Sequence, residues 1–579
     1  MSDIPEAEGP YRELTIAAAV LGVLIGALMT AAFVYIALKL GFTMPGSTVA
    51  AIIGFAILRG IMRRESIVEN NLNQTVASGV NNASAGIAFT LPALFILGIN
   101  DPELANFNPV AALLAAIAGS FLGIVVIIPL RKQMIEFDRL KFPSGIAVAS
   151  LLRSPGAGER QAKLLAGGFG VAAILHVPAY FGWIPDQLPF GTWLGGPAWF
   201  PVTLGISFAS IGAGLLAGRG GLPFVFGGML AWWVLSPLAI NLAWVPDMQA
   251  TGAPSMAEWN AWAAGWLYSE MLRPVGIGIL IGGALSGVIA SLPALKAAVY
   301  SLAQATQTEG AAQEVSARTL YLGVAGSFLV LFLAAIFAAP DMSLPHAALT
   351  AVVGCLWLAL AGLVVAQAAG MTDISPISGM SLIGVTIMFF LTGGEVATSI
   401  ILGVAVSIGI GQCADMMSDL KSGHLIGATP RIQQIAQFSF AWLGVPVAIG
   451  VLYLIWNGPG FGPGNPDLSA PQGAALAAVM EGLSSGDAPV DKYVTGTAIG
   501  LAMGIFPLSG MGVLVGLAMY LPFYITLTYG VGCFISIALE RRLGTAFMAE
   551  TVVPVSAGFI IGEALVNLTL TLFSLGAGG

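Results

Sequence analysis

The sequence predicts an all-α, polytopic integral membrane protein, and three observations carry that prediction. Hydrophobic residues make up 57 % of the 579 and charged residues only 9 %, where a soluble domain carries about 25 % charge. Apolar residues fall in stretches of about 20, each long enough for one helical crossing of a hydrocarbon core, and the mean hydropathy is +0.90. The chain also holds 75 glycines and 33 prolines, which transmembrane helices tolerate because small faces allow close approach and breaks can line a cavity. About 16 transmembrane helices are expected, some of them broken or re-entrant.

Residues 1–14 read as a polar, cytoplasmic N-terminal tail. They lack a basic segment ahead of a short apolar core and a cleavage site, so no signal peptide is expected and the first apolar run stays as a helix. Apolar runs occur near 15–39, 46–60, 72–98, 109–130, 163–182, 200–218, 222–244 and 264–291. The second half repeats the theme near 319–338, 346–368, 378–391, 395–414 and 433–456, then a crowded 494–540 and a last run at 554–575. FPSGIAVASLL (142–152) rises only about 16 Å as a helix, so it reads as a half-helix or a re-entrant piece. The polar stretch 301–318 is the longest candidate cytoplasmic connector, and it divides a first transmembrane half, 15–300, from a second, 319–579. Short apolar runs ending in a basic or polar junction recur at 46–60 and 379–399, a pattern that points to the internal duplication common in secondary transporters.

Charge sets the expected orientation and excludes several function classes. The net charge is −8, from 29 acidic and 21 basic residues, and no basic face for nucleic acid is present. Arg59, Arg63, Arg64, Arg131, Lys132, Arg139, Lys141, Arg318, Arg541 and Arg542 mark loops that belong in the cytoplasm, whereas 99–109, 183–200, 245–260 and 457–473 contain no Lys or Arg and belong outside. The expected location is the cytoplasmic (inner) membrane. Cys355, Cys413 and Cys533 are isolated in apolar sequence, so neither a disulfide framework nor a metal site is expected. None of the seven lysines follows a glycine, which removes a P-loop, and no hydrolase or haem motif occurs. No cofactor and no catalytic role are therefore expected.

Polar residues inside apolar runs are the functional candidates, because they must face protein, water or substrate rather than lipid. Glu69, Asn70, Asn71, Asn73, Gln74, Thr75, Ser78, Asn81 and Asn82 form a dense polar start to the 65–98 segment, with Asn70 and Gln74 at an i,i+4 spacing. The alternatives here are a substrate path and a buried helix-packing network. Glu395 follows two glycines, at a helix start or inside a broken helix. Asp415 and Asp419 are i,i+4, so they repel on one helical face unless a cation, an arginine or a substrate ammonium lies between them; a solvated loop is the alternative. Glu563 lies about ten residues into the last apolar run, where an ionisable group is a proton-handling candidate by default. Glu270 and Arg273 stand at an i,i+3 spacing that suits an ion pair, and Arg273 could instead meet a substrate carboxylate. Tyr520, Pro522 and Tyr524 mark a helix break at which the tyrosines could bind a peptide-like solute. His176 and His346 read as packing histidines.

Five long motifs carry a family resemblance: ENNLNQTVASGVNNASAGIAFTLPAL (69–94), KFPSGIAVASLLRS (141–154), ADMMSDLKSGHLIGATPRIQQ (414–434), MYLPF (519–523) and SAGFIIGEAL (556–565). Over most of 15–575 the chain resembles the prokaryotic branch of the oligopeptide transporter family, which is related to the plant yellow-stripe-like metal-chelate transporters. The resemblance implies a proton-coupled importer of about 16 helices for small peptides or glutathione-like solutes, or alternatively a symporter of metal chelates. Its motifs fall on Glu69 to Gln74, Lys141 to Ser144, Asp415 to Lys421 and the Glu563 region. From these readings, substrate contact is expected at Glu69, Asn70, Asn73, Gln74, Lys141, Ser144, Arg273, Tyr520 and Tyr524, and proton coupling at Glu69, Glu395, Asp415, Asp419 and Glu563. The partners expected are the solute, protons and the bilayer, without an ATPase subunit; a homo-oligomer stays open, and an ion channel is the third function class.

Overall fold

Backbone groups in a hydrocarbon interior must be hydrogen-bonded within the chain, which leaves helices as the way to fold apolar runs of this length. The computed structural model describes residues 13–577 except 44–45, 65, 154–156, 291–313, 373–374, 485–488 and 505–510. The expected tail up to residue 12 and the connector over 301–313 lie outside the described residues. Among those described, 11 stretches are long and apolar enough to cross a membrane, and shorter apolar helices occupy Gly46–Ile61, Ile377–Leu391 and Met511–Tyr520. One two-residue antiparallel pair, Gln187–Leu188 with Leu204–Gly205, is the sheet structure found among them. The chain is a multi-pass, all-α membrane protein.

Interrupted helices are present as expected, and their form is specific. Wide π-type turns occupy Ala56–Ile61, Lys132–Phe137, Leu230–Leu235, Leu267–Leu272 and Met548–Val552. The 142–152 segment is the 11-residue helix Pro143–Arg153. The Tyr520–Pro522 break separates the helices Met511–Tyr520 and Phe523–Phe547.

The described chain clusters into two units, each drawn from both sequence halves. The first comprises 1–37, 42–163 and 288–457; the second comprises 38–41, 164–287 and 458–579. The central element of the first is the 31-residue helix Val396–Ile426, which runs unbroken until Gly427 ends it in a left-handed conformation, φ 87°. Pro109–Ile127 packs along it backbone to backbone: a β-carbon at Gly119 would lie 2.1 Å from the Ala405 carbonyl oxygen, and one at Gly123 would lie 2.2 Å from that of Gly409. Leu344–Thr372, Ile377–Leu391, Ile67–Asn81 and Pro143–Arg153 pack against the same helix.

In the second unit, Phe208–Ala217 packs between Phe523–Phe547 and Val553–Ala577. The glycine spacings of Arg273–Ala290 serve close approach, since Gly278 and Gly282 face the backbone of Val490–Met503 at Tyr493 and Thr497.

Candidate functional site

The polar residues of 67–81 form a capped helix. Ser66 Oγ accepts from the Glu69 amide at 3.2 Å, and every residue from Val68 to Asn81 is buried. Buried amides need hydrogen-bond partners; those of Asn71 and Gln74 find theirs largely on two other helices, Val396–Ile426 and Pro430–Phe440, whereas both amide atoms of Asn70 and the Oδ1 atoms of Asn73 and Asn81 have none among the described residues. Asn71 Nδ2 donates to Ser422 Oγ at 2.8 Å and to Gln74 Oε1 at 3.3 Å. Gln433 Nε2 donates to Asn71 Oδ1 at 2.9 Å, Thr75 Oγ1 at 3.1 Å and the Asp419 carbonyl at 3.0 Å.

At the centre of this network are the two aspartates. Asp419 is 1 % exposed and Asp415 is half-buried, one helical turn apart, so the solvated-loop alternative is excluded. Ser78 Oγ donates to Asp415 Oδ1 at 2.5 Å and Gln437 Nε2 donates to its Oδ2 at 3.1 Å. Asp419 Oδ1 accepts from Gln74 Nε2 at 2.6 Å and from Ser47 Oγ at 3.3 Å, while Ser47 and Ser78 share a hydrogen bond of 2.8 Å. Two hydroxyls thus bridge the two carboxylates. Asp419 Oδ2 has no partner among the described residues, and no Lys, Arg or His among them pairs with either aspartate. The donors are all neutral.

The remaining residues expected in this unit fall into three groups. Glu69 accepts at Oε1 from Arg64 Nη1 and Thr15 Oγ1, each at 2.5 Å, so its charge is balanced. Asn70 and Asn73 aim amide oxygens at Gly54, where a β-carbon would sit 2.8 and 2.2 Å away; Asn70 makes no bond to Gln74, because Asn71 holds that position. Glu395 is exposed at the start of Val396–Ile426, which settles its placement at a helix start. Lys141 is exposed and Ser144 half-buried, while Gly145 beside them abuts the Ser418 carbonyl, 2.4 Å from a β-carbon.

In the second unit Glu563 is fully buried and fully engaged. Lys39 Nζ lies 2.8 Å from its Oε1. Ser207 Oγ reaches its two oxygens at 3.0 and 3.1 Å, and the Ala209 amide donates to Oε2 at 2.9 Å, so the carboxylate also sits on the N-terminus of Phe208–Ala217, where negative charge is favoured. His176 Nε2 lies 3.0 Å from Asn567 Nδ2. The Arg273 guanidinium lies over the Tyr520 ring, 5.3 Å from its centroid. Glu270 approaches Lys492 at 3.9 Å instead of Arg273, because the wide turn over Leu267–Leu272 breaks the i,i+3 geometry. The Tyr524 hydroxyl bonds to Asp467.

Buried carboxylates such as Asp419 and Glu563, each furnished with a polar shell inside apolar helices, mark functional positions in a membrane protein. The family model described as OPT oligopeptide transporter protein matches residues 13–574. The chain belongs to the oligopeptide transporter family. A Haemophilus influenzae protein named for oligopeptide transport is 28 % identical, covering 93 % of this chain and 92 % of that one. A metal-nicotianamine transporter of Arabidopsis thaliana is 24 % identical over 98 % of this chain and 94 % of its own. The maize iron-phytosiderophore transporter yellow stripe 1 is 25 % identical over 79 % and 72 %. For this oligopeptide transporter family member, sequence reasoning overlooked Ser47, Gln433, Gln437 and Lys39. The run RIQQIAQ held a usable signal, since glutamines at 433, 434 and 437 place amides on one stretch of an otherwise apolar helix.

Proposed function

We propose that this transporter imports peptide-like solutes across the cytoplasmic membrane, with its N-terminus in the cytoplasm, by symport with protons. The carrying observation is the Asp415–Asp419 pair, which has four neutral donors and no cationic partner among the described residues. Two carboxylates one helical turn apart repel, and with only neutral donors around them a proton taken up by the pair relieves that repulsion. A group that must bind a proton in one state, and can lose it when access changes, is what coupling to a gradient requires. Glu563 is a second proton-handling station in this reading, its charge compensated by Lys39 whenever it is ionised.

The test compares two transport modes in proteoliposomes. Asp415→Asn with Asp419→Asn should abolish accumulation driven by a pH gradient while downhill exchange of the solute persists. Unchanged accumulation in the double variant overturns the assignment. Near-complete coverage by a metal-nicotianamine transporter supports symport of metal chelates as the second reading. It is distinguished by whether uptake of a labelled ligand requires bound iron, zinc or copper.

A further inference from the structure

The buried Glu563 has a histidine about one helical turn away, on a helix that packs directly along its own. A β-carbon at Gly558 would lie 2.2 Å from the Leu165 carbonyl oxygen, and one at Gly562 would lie 2.8 Å from that of Phe169 and 3.0 Å from the Ala172 side chain. Ala157–Tyr180 therefore runs against Val553–Ala577 at the level of Glu563. One turn further along both helices, the half-buried His176 meets Asn567, Nε2 to Nδ2, at 3.0 Å. Beyond the end of Ala157–Tyr180, the exposed Asp186 turns back on the same place. Its carbonyl accepts from the Ile206 amide at 2.8 Å, and the next residue, Ser207, bonds both Glu563 oxygens.

Three charged groups act on the His176 ring, Glu563 and Lys39 from the buried side and Asp186 from the exposed side. Asp467, also exposed, faces Asp186 in turn. Lys39, Ser207 and the Ala209 amide all donate to the Glu563 carboxylate, so a proton placed there would displace one of them. The imidazole is differently equipped. An amide nitrogen only donates, so Nε2 accepts from Asn567 and is the ring nitrogen without a proton. When it gains one, a half-turn of the Asn567 amide presents Oδ1 as the acceptor, so the same neighbour serves both forms. Histidine is also the side chain whose ordinary titration falls between about pH 5 and 8.

We infer that His176 holds the coupling proton of the second unit, with Glu563 as its buried counter-charge and Asp186 as its link to the 183–200 loop. This rests on the proton-symport reading for its use in transport. In the step itself an O–H bond of the Asp186 carboxyl breaks, leaving the carboxylate, while an N–H bond forms at Nε2 and the ring becomes a cation. Glu563, until then opposite Lys39 alone, stands between two positive charges, which loosens its hold on Lys39. Return of the proton restores the first state.

The experiment titrates the His176 ring in the purified full chain by nuclear magnetic resonance, with His346→Gln and His424→Gln removing the other two histidines so that one imidazole reports. The ring should titrate with an inflection inside about pH 5–8. Glu563→Gln and Asp186→Asn should each move that inflection down, the first by about half a pH unit or more, and Lys39→Met should move it up, because a carboxylate favours the imidazolium and an ammonium opposes it. A ring that keeps one form across the range, or an inflection unmoved by Glu563→Gln, overturns the assignment. In proteoliposomes, uptake of trialanine or an iron–nicotianamine complex is then measured in both modes. His176→Gln, whose amide can keep the Asn567 hydrogen bond, should reduce gradient-driven accumulation at least tenfold more than downhill exchange; unchanged accumulation, or equal loss of both modes, overturns the coupling role. A ring that titrates as expected in a wild type without gradient-driven accumulation overturns the symport reading and leaves the proton site standing; accumulation with a ring that does not titrate does the reverse.

Discussion

Lys39 and Glu563 illustrate how much depends on a single buried partner. Lys39→Met would leave the Glu563 carboxylate with Ser207 and Ala209 as neutral donors, and removing one member of a buried pair costs about 3–5 kcal/mol. Thermal unfolding in detergent should show that loss, and adding Glu563→Gln should restore part of it. Glu563→Gln alone should impair gradient-driven uptake more than downhill exchange; equal loss of both modes would point to packing. In the 183–200 loop, the largely exposed Asp186 has its carboxyl held above the usual range, first by partial desolvation and then by the Asp467 carboxylate. A raised carboxyl favours the folded state at low pH, where it is neutral, and that contribution disappears as the pH rises through its folded value. Asp186→Asn should therefore raise the unfolding temperature at about pH 7, with the gain vanishing toward about pH 3. The i,i+4 spacing of Asp415 and Asp419 is legible in the sequence because it lies within one helix. Their partner Ser47 is not, being 372 residues from Asp419, and Lys39 lies 524 residues from Glu563.

At the scale of elements, stability is set by how closely backbones approach. Gly123→Ala would drive a methyl into the Gly409 carbonyl, 2.2 Å away, and overpacking of this kind costs about 1–3 kcal/mol. Gly450 has nothing within 4 Å of a β-carbon, so Gly450→Ala serves as a near-neutral control in the same melting experiment. Apolar runs and helix breaks such as Leu521–Pro522 are readable from hydropathy and proline. The wide turns are not: an i→i+5 turn adds one residue and rotates the next stretch of helix by about 100°. This is why the spacing of Glu270 and Arg273 misleads. The choice of Asn71 over Asn70 as the partner of Gln74 is unreadable for a related reason, since it depends on where Ser422 and Gln433 approach from other helices.

At the scale of the whole molecule, the sequence alternates between units, with 42–163 and 288–457 in one and 164–287 and 458–579 in the other. Each half of the chain contributes to both, an order that fits the duplication expected from 46–60 and 379–399. A chain divided within 301–313 should yield neither unit from one half alone, whereas co-expressed halves should copurify through a tag on either; independent folding of the first half would refute this. The alternation also imposes a wait during synthesis. Gln74 bonds to Asp419, 345 residues later in the chain. At ribosomal speeds of about 5–20 residues per second, that partner emerges on the order of tens of seconds after Gln74 does. During that interval the amides of 67–81 have entered the insertion machinery without the helix that satisfies them. Biogenesis of this protein should therefore depend on a membrane chaperone able to shelter a polar helix until translation reaches the aspartates.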